Sequence, residues 1–220
     1  MWKFLKKKED GYDCSLRIYV RGSCVISSTT STGFACDTFS RTFVMKMSKL
    51  KTEQNRLEIL RNCYRLMATG TWDAISVSML EKNISQTRGA IFYFNKNKED
   101  LFINMIDELF FPVFKLSQTD KNHLSTCPTH TFFAMYKTPF ERVYFDLKTN
   151  YKLNDPSRCL FNILIQAQNH YKGFCQIIGN EIKREIAVIS EIIKGNDAIH
   201  IDLDKIYAQS AGIIFLESLS

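Results

Sequence analysis

The helical spacing of apolar residues from Thr52 onward constrains the fold of this chain more than any other feature. The first such segment carries one apolar stripe on a single helical face, formed by Leu57, Leu60, Tyr64, Met67 and Ala68. No network of alternating strand patterns, internal repeat or coiled-coil heptad accompanies this spacing. The sequence therefore predicts an all-α fold.

Two short helices are predicted after this first long helix, which Gly70 ends. One runs from about Val77 to Asn83, with Ser76 available as its N-cap. After a tight turn the next begins at Thr87 and ends near Asn95. Such a pair behind a longer helix is typical of a helix-turn-helix, although many helical bundles that bind no DNA contain similar pairs.

The remainder of the chain is also predicted to be helical. Asn97 is suited to cap a fourth helix, and Glu99 and Asp100 lie near the positive end of its dipole. Later segments comprise a helix over 103–117, a polar loop over 117–130, one or two helices across 129–150, a helix opened by Asp155 and Pro156, a long amphipathic helix ending at Gly195, and a last helix from Asp202 or Asp204 to Ser220. Together these segments predict a helical bundle.

The first part of the chain, residues 1–46, differs from the rest because it is Ser/Thr-rich and shows no sustained helical period. The stretch SLRIYV (15–20) predicts a short strand, but one strand makes no sheet. Met45 or Met47 is a candidate natural start, so we expect residues 1–46 to be extra, disordered sequence. The alternative is a genuine N-terminal arm that touches DNA or a partner.

The net charge of +6 is distributed unevenly along the chain. It amounts to +4 over 1–46, +3 over 47–102 and −1 over 103–220. Such a distribution is expected if only the N-terminal half meets a polyanion, and it is equally consistent with a solvated, slightly basic surface.

The seven cysteines include no C-x-x-C pair, so they indicate neither a disulfide framework nor a zinc site, and a reducing cytoplasm fits best. Cys63 and Cys159 lie in apolar helical patterns and are expected in the core. No stretch approaches about 18 uncharged apolar residues, so no membrane-spanning helix is predicted. The lysine-rich N-terminus lacks the apolar run of a secretory signal.

Catalytic chemistry has little support in the sequence. The four histidines form no H-E-x-x-H or H-x-x-x-H arrangement, and neither a Gly-rich phosphate loop nor a nucleophile elbow is present. His200, Asp202 and Asp204 can be drawn as a metal cluster, but acids at a helix start are better explained as caps. We therefore expect no enzyme activity, no metal and no cofactor.

The stretch TRGAIFYFNKNKEDLF (87–102) resembles the signature of the TetR-type (AcrR-like) helix-turn-helix transcriptional regulators. The resemblance extends upstream through GTWDAISVSMLEKNISQ (70–86) and covers about 50–102 without a gap. It implies a helix-turn-helix DNA-binding domain at 47–98, followed by a helical ligand-binding and dimerisation domain at 99–220.

The chain departs from the family pattern at several positions. Glu81 stands where the family usually has alanine, Ser85 where it has a turn glycine, Gln86 where it has an apolar residue, and Asn95 where it has phenylalanine. Ser85 is therefore expected to adopt a positive φ. The last helix has about seventeen residues and nothing follows it, whereas the family generally has two C-terminal helices that form the dimer interface. We therefore expect a C-terminal truncation or a dimer built differently.

The expected DNA-binding residues lie at and after the start of the recognition helix: Gln86, Thr87, Arg88, Gly89, Tyr93, Lys96 and Lys98. Gly89 allows close approach to base edges, and Arg88 can donate to phosphate or to guanine. Tyr93, Lys96 and Lys98 are suited to phosphates, the last at a helix N-terminus. Ala90, Ile91 and Phe92 are expected to pack inward, and Phe94 to make no polar contact.

The C-terminal half is rich in aromatic residues, which at helical spacing are more often core than a ligand cage. Gln166 and His170 share one helical face with Phe174, so this face is a candidate pocket wall, and a satisfied buried histidine is the alternative. The candidate ligand-binding residues are Phe114, Phe140, Tyr144, Phe161, Gln166, His170 and Phe174.

The resemblance implies a cytoplasmic transcriptional repressor that binds a palindromic operator in double-stranded DNA as a homodimer formed through its C-terminal helices. An apolar or cationic small molecule would bind among the later helices and shift the fourth helix, which would release the DNA. The alternative is a helical interaction protein, or a decayed regulator, without specific DNA binding.

Overall fold

Helices form the described part of the chain apart from one pair of strands, so the predicted all-α class is confirmed. The computed structural model describes residues 17–20, 23–26, 34–84, 86–126, 128–194 and 202–219. The elements are β1 (Arg17–Val20), β2 (Ser23–Ile26), α1 (Phe34–Thr69), α2 (Val77–Ile84), α3 (Arg88–Ile91), α4 (Lys98–Met105), α5 (Phe111–Phe114), α6 (Gln118–Thr126), α7 (Thr129–Met135), α8 (Pro139–Thr149), α9 (Pro156–His170), α10 (Phe174–Lys194) and α11 (Leu203–Glu217). A 3₁₀ turn at Trp72–Ala74 and a π-helical turn at Ile106–Phe110 connect them. None of the described helices is long and apolar enough to cross a membrane.

The N-terminal unit, Met1–Leu50, contains a small antiparallel sheet. β1 pairs with β2, so the strand expected within 15–20 has a partner that was not predicted. Helix α1 begins at Phe34 rather than near Thr52, because no proline or glycine interrupts 34–51. Residues 1–16, 21–22 and 27–33 lie outside the described part of the chain, so the interpretation of 1–46 as extra or disordered sequence stays a prediction.

The second unit, Lys51–Ser220, is built around the apolar face of α1. Four members of the predicted stripe are buried and Leu57 is half-buried; the buried four are Leu60, Tyr64, Met67 and Ala68. Cys63 and Cys159 lie in the same core, as expected, and burial raises the pKa of the Cys63 thiol to about 12. The core continues through the aromatic side chains of α4 and α5 to α8 and α9.

The helix after the helix-turn-helix contains a π-helical turn. α4, the π turn and α5 follow one another without a break, and the Phe111 N–H donates to the Ile106 carbonyl, five residues back. Pro112, just after this turn, has no N–H and its ring crowds the carbonyl of Glu108, which opens the helix locally. Arg56 of α1 holds Glu108 through a bidentate ion pair, one bond of which measures 2.8 Å.

The polar stretch 117–130 was wrongly predicted to be a loop, since it contains α6 and the start of α7. The Ser117 hydroxyl accepts from the Asp120 N–H at 3.1 Å and Leu124 buries the inner face, which is enough to hold a short polar helix. Two other predicted caps are present, because Asp155 accepts from the Arg158 N–H and Asp202 from the Lys205 N–H. His200 lies outside the described residues.

Arg142 of α8 uses all five of its N–H groups inside the fold. It donates to the carbonyls of Val113 at 3.2 Å, of Lys137 at 2.7 Å and of Phe114. Its two terminal nitrogens also donate to the carboxylate of Glu185 on α10, at 2.9 Å and 2.6 Å. The guanidinium therefore connects three parts of the fold: the end of α5, the turn that precedes α8, and helix α10.

Two tyrosines complete the surroundings of Glu185. The hydroxyls of Tyr136 and Tyr207 donate to the same carboxylate oxygen at 2.6 Å and 3.0 Å, and they contact each other. Burial and the negative charge of Glu185 raise the pKa of both phenols, so they remain neutral donors. The buried carboxylate thus joins α8, α10 and α11 through charged and neutral donors.

Replacing Arg142 with methionine is expected to lower the free energy of unfolding by about 3–5 kcal/mol, because Glu185 would remain buried without its cation. Urea denaturation followed by circular dichroism measures the change. The matched control is Arg184→Met, which removes an exposed ion pair with Glu181 and should cost less than about 1 kcal/mol. Equal losses in the two variants would show that the buried network does not stabilise the fold.

Candidate nucleic-acid interface

The helix-turn-helix consists of α2 and a recognition helix, α3, that is only one turn long. The Ser76 hydroxyl accepts from the Met79 N–H at 3.2 Å and caps α2, as predicted. The Thr87 hydroxyl accepts from the Ala90 N–H at 3.2 Å and caps α3. Ser85, between them in sequence, lies outside the described residues, so its expected positive φ stays a prediction.

One side of the recognition helix is buried and the other is open. Ile91 is fully buried, Phe92 packs partly against the core and Ala90 is half-buried, as expected. Thr87, Arg88 and Gly89 are exposed and Gln86 is half-buried. The start of α3 therefore exposes the Thr87 hydroxyl, the Arg88 guanidinium and the Gly89 backbone to solvent.

The recognition helix ends at Ile91, not near Asn95 as predicted. Asn95 accounts for this early end, because its side chain is buried and donates to the Ile91 carbonyl at 3.1 Å. Its own oxygen accepts from the Asn104 amide of α4 at 2.7 Å. A polar bridge between α3 and α4 thus replaces the apolar contact that the family phenylalanine would make.

The remaining predicted contacts lie around the turn between α3 and α4. Tyr93 is 75% exposed, with its ring edge against Phe94, which makes no polar contact that the structure records. Lys96 is exposed. Lys98 is half-buried, because its ammonium donates to the Trp72 carbonyl at 2.6 Å and lies 4.9 Å from the centre of the Trp72 ring.

Trp72 is a structural residue of this site whose role was not predicted from the sequence. Its side chain is buried under Phe102 of α4, with ring centres 5.5 Å apart. A tryptophan two residues after Gly70, the glycine predicted to end the first helix, was the available signal in the sequence. Because Lys98 opens α4, Trp72 links the end of α1 to the helix that follows the recognition turn.

No family model matches the chain. A curated relative, the HTH-type transcriptional repressor AcnR of Corynebacterium jeikeium, is 35% identical over 63 residues. The match covers 29% of this chain, and the chain spans about a third of that relative's length (33%).

Among solved structures, the chain is similar to native NalD of Pseudomonas aeruginosa, described as the secondary repressor of the MexAB-OprM multidrug efflux pump. The TM-score is 0.50 at 15% identity, over 77% of this chain and 87% of NalD, and this likeness supports the shared fold. The resemblance to the TetR-type regulators is confirmed. The described chain therefore has an all-helical fold like that of NalD, in which a pair of short helices precedes a helical bundle.

The structure brings some of the candidate ligand-binding residues together in the core and places the others elsewhere, so their role in ligand binding stays a prediction. Phe114 and Phe174 lie in the aromatic core, and Phe140 packs edge-on against Phe114 with ring centres 5.5 Å apart. Tyr144 contacts Phe145. The other three point elsewhere: Phe161 towards Phe215 of α11, Gln166 and His170 towards the segment after α1.

A pocket of about 330 Å³ lies near α6 and the start of α8 and shares no residue with the predicted set. It is lined by Leu116, Asp120, His123, Leu124, Met135, Tyr136, Lys137 and Arg142. Because the donors of Arg142 and the hydroxyl of Tyr136 are used within the fold, the other polar side chains of the described lining are Asp120, His123 and Lys137. The pocket was missed because its lining comes from segments that include the wrongly predicted loop.

Replacing Asn95 with alanine is expected to lower the free energy of unfolding by about 1–3 kcal/mol, because two hydrogen-bonding groups near the buried turn lose their partner. Asn83→Ala is the matched control, since Asn83 makes the same kind of bond to the carbonyl four residues back, but on an exposed surface. The control should lose less than about 0.5 kcal/mol in the same thermal and urea measurements. A loss in Asn95→Ala no larger than in the control would exclude the bridging role.

Proposed function

We propose that this chain is a DNA-binding transcriptional repressor of the cytoplasm, with its helix-turn-helix domain at 47–98 and its ligand-binding and dimerisation domain at 99–220. The observation that carries the proposal is the exposed first turn of α3, held on a buried base by Ile91. The relatives described above, both named as repressors, support it. The proposal assigns the chain no catalytic step.

Gly89 gives the most specific argument for a partner at this surface. Among the described residues outside its own helical turn, the nearest atom to a Cβ added to Gly89 would be the Thr87 hydroxyl, at 4.0 Å, and the backbone there is not left-handed. Neither packing nor conformation within the described part of the chain therefore requires glycine. A partner that approaches the backbone closely does require it, and the edge of a base pair in the major groove is such a partner.

The charged and polar groups around Gly89 suit the DNA backbone and bases. We assign Arg88 to a base or phosphate, Gln86 and Thr87 to nearby phosphates or base edges, and Tyr93 and Lys96 to phosphates. Lys98 contributes through the charge that remains beside the start of α4, since one of its donors is used by Trp72.

We further propose that the repressor is a homodimer that binds a palindromic operator and responds to a small molecule. Exposed apolar side chains on α11, including Ile213, Phe215 and Leu216, support a dimer through the C-terminal helices. Such a dimer would place its recognition helices in successive major grooves, about 34–36 Å apart. The pocket beside Lys137 has the size of a small-molecule site and supports the effector part. The effector need shift the equilibrium by only about 1–3 kcal/mol.

Selection from a pool of random-sequence DNA duplexes tests the proposal directly. The purified chain is expected to enrich a palindromic sequence and to bind it with a steep dependence on salt. Three predicted cations in each protomer give a slope of log affinity against log salt of about −5 for a dimer. Equal and weak binding to every sequence would instead favour a helical interaction protein or a decayed regulator.

Gly89→Ala is expected to separate DNA binding from stability. Alanine fits the free chain and favours the helix, so the free energy of unfolding should stay constant or rise by up to about 1 kcal/mol. Affinity for the selected duplex should fall at least about tenfold, because the methyl group would hold the backbone away from the base edge.

The matched control for this change is Gly179→Ala on α10, where an added Cβ also meets nothing within 4 Å. Its affinity should match that of the unmodified chain, with the oligomeric state of both variants checked by sedimentation. Full affinity in Gly89→Ala would place the DNA somewhere other than at this turn.

A further inference from the structure

Three polar side chains on α9 face the segment that follows α1. Asn162, Gln166 and His170 are spaced four residues apart, so they lie in one row along the helix, which we call the α9 polar row. Each contacts the chain between Met67 and Asp73, more than eighty positions away in sequence. The row is thus a joint between the bundle and the end of the first helix.

The two amides of this row take up the carbonyl groups that the end of α1 leaves without helical partners. Asn162 donates to Met67, Ala68 and Gly70, with the shortest bond, 2.7 Å, to Gly70. Gln166 donates to Met67 at 3.0 Å and to Gly70 at 3.1 Å. Gly70 does not adopt the left-handed conformation of a local glycine cap, so α9 provides the cap from a distance.

Trp72 continues the connection towards the recognition helix. Its backbone N–H donates to the side-chain oxygen of Gln166, and its carbonyl accepts from the Lys98 ammonium at 2.6 Å. Its ring packs on Phe102 of α4, which also contacts the His170 ring at 5.3 Å. A single residue is therefore held by α9 on one side and by the first turn of α4 on the other.

Hydrogen bonds of this kind tolerate little displacement, since they weaken steeply with distance and angle. A movement of α9 relative to α1 would break the bonds of Gln166 to Met67 and Gly70 or carry Trp72 with it. Because Trp72 holds Lys98, the start of α4 and the turn that follows α3 would move as well.

We propose that Asn162 and Gln166 are positioning residues for DNA binding: through Trp72 and Lys98 they set the position of the recognition turn relative to the bundle. This inference rests on the proposed function, because it concerns how two recognition helices are held at the spacing of an operator. The α9 polar row is accordingly part of the path by which the bundle controls DNA binding, and not a pocket wall.

The test compares Gln166→Met with the unmodified chain on two duplexes, the selected palindrome and the same duplex with one half-site scrambled. Methionine keeps the volume but removes every hydrogen bond of the amide. Preference for the palindrome over the single half-site is expected to fall at least about tenfold, within the range of coupling between sites in regulated proteins. Affinity for the single half-site should change less than about threefold, since the recognition turn itself is intact.

Ile163→Ala and Ile163→Val on the same helix serve as stability controls, because Ile163 is fully buried and makes no part of the row. The expected loss in free energy of unfolding is about 2–5 kcal/mol for Ile163→Ala and about 0.5–1.5 kcal/mol for Ile163→Val. The loss measured for Gln166→Met can therefore be compared with a larger and a smaller loss on the same helix. Measured well below the unfolding transition, both Ile163 variants should keep the preference of the unmodified chain. An unchanged preference in Gln166→Met, or an equal fall in a control of similar stability, would overturn the proposal.

Hydrogen exchange separates failure of this inference from failure of the proposed function. If the unmodified chain prefers no duplex, the repressor proposal has failed, but the joint is still testable. In Gln166→Met the amides of 70–73 and 98–101 should then exchange at least about tenfold faster, with those of α8 and α10 unchanged. Exchange that rises equally in all these helices would show that Gln166 only stabilises the fold.

Discussion

The carbonyl groups at the end of α1 have no hydrogen-bond partners within the helix and need donors from elsewhere in the protein. The positions of α9, Trp72 and α4 relative to α1 depend on the hydrogen bonds that supply those donors. Asn162 and Gln166 meet this need from a helix more than ninety positions away in sequence, as in the bond from the Gln166 amide to the Met67 carbonyl, which spans 99 positions. Buried backbone groups that lose such partners are costly. α9 therefore cannot shift freely against α1, and Trp72 and α4 are held by the same contact.

The features that depend on neighbouring residues could be predicted from the sequence. The caps at Ser76, Thr87 and Asn97 are local, because each hydroxyl or amide oxygen accepts from an N–H three residues on. The buried stripe of α1 followed from spacing alone. The length of α3 could not be predicted in this way, since it depends on the bridge from Asn95 to Asn104 of the next helix.

The α9 polar row shows why the candidate ligand site was harder to predict. Periodicity correctly placed Gln166 and His170 on one face, but it does not say which part of the chain that face meets. This face of α9 packs against the end of α1, whose last carbonyls have no partner within their own helix. The Gln166 amide donates to these carbonyls and thus caps α1. The pocket near Lys137 depends on α6, a helix that its polar sequence did not predict and whose buried side chain, among the described residues, is Leu124.

A recognition helix of one turn has too few internal hydrogen bonds to keep its own orientation. The cap at Thr87, the burial of Ile91 and the bridge from Asn95 hold α3 in place, and each belongs to or contacts a neighbouring element. The orientation of the Arg88 side chain and of the Gly89 backbone is thus determined by α4 and, through Lys98 and Trp72, by α9. In a longer helix, internal rigidity would resist such influence. Here the shortness of α3 makes the exposed turn responsive to the bundle behind it.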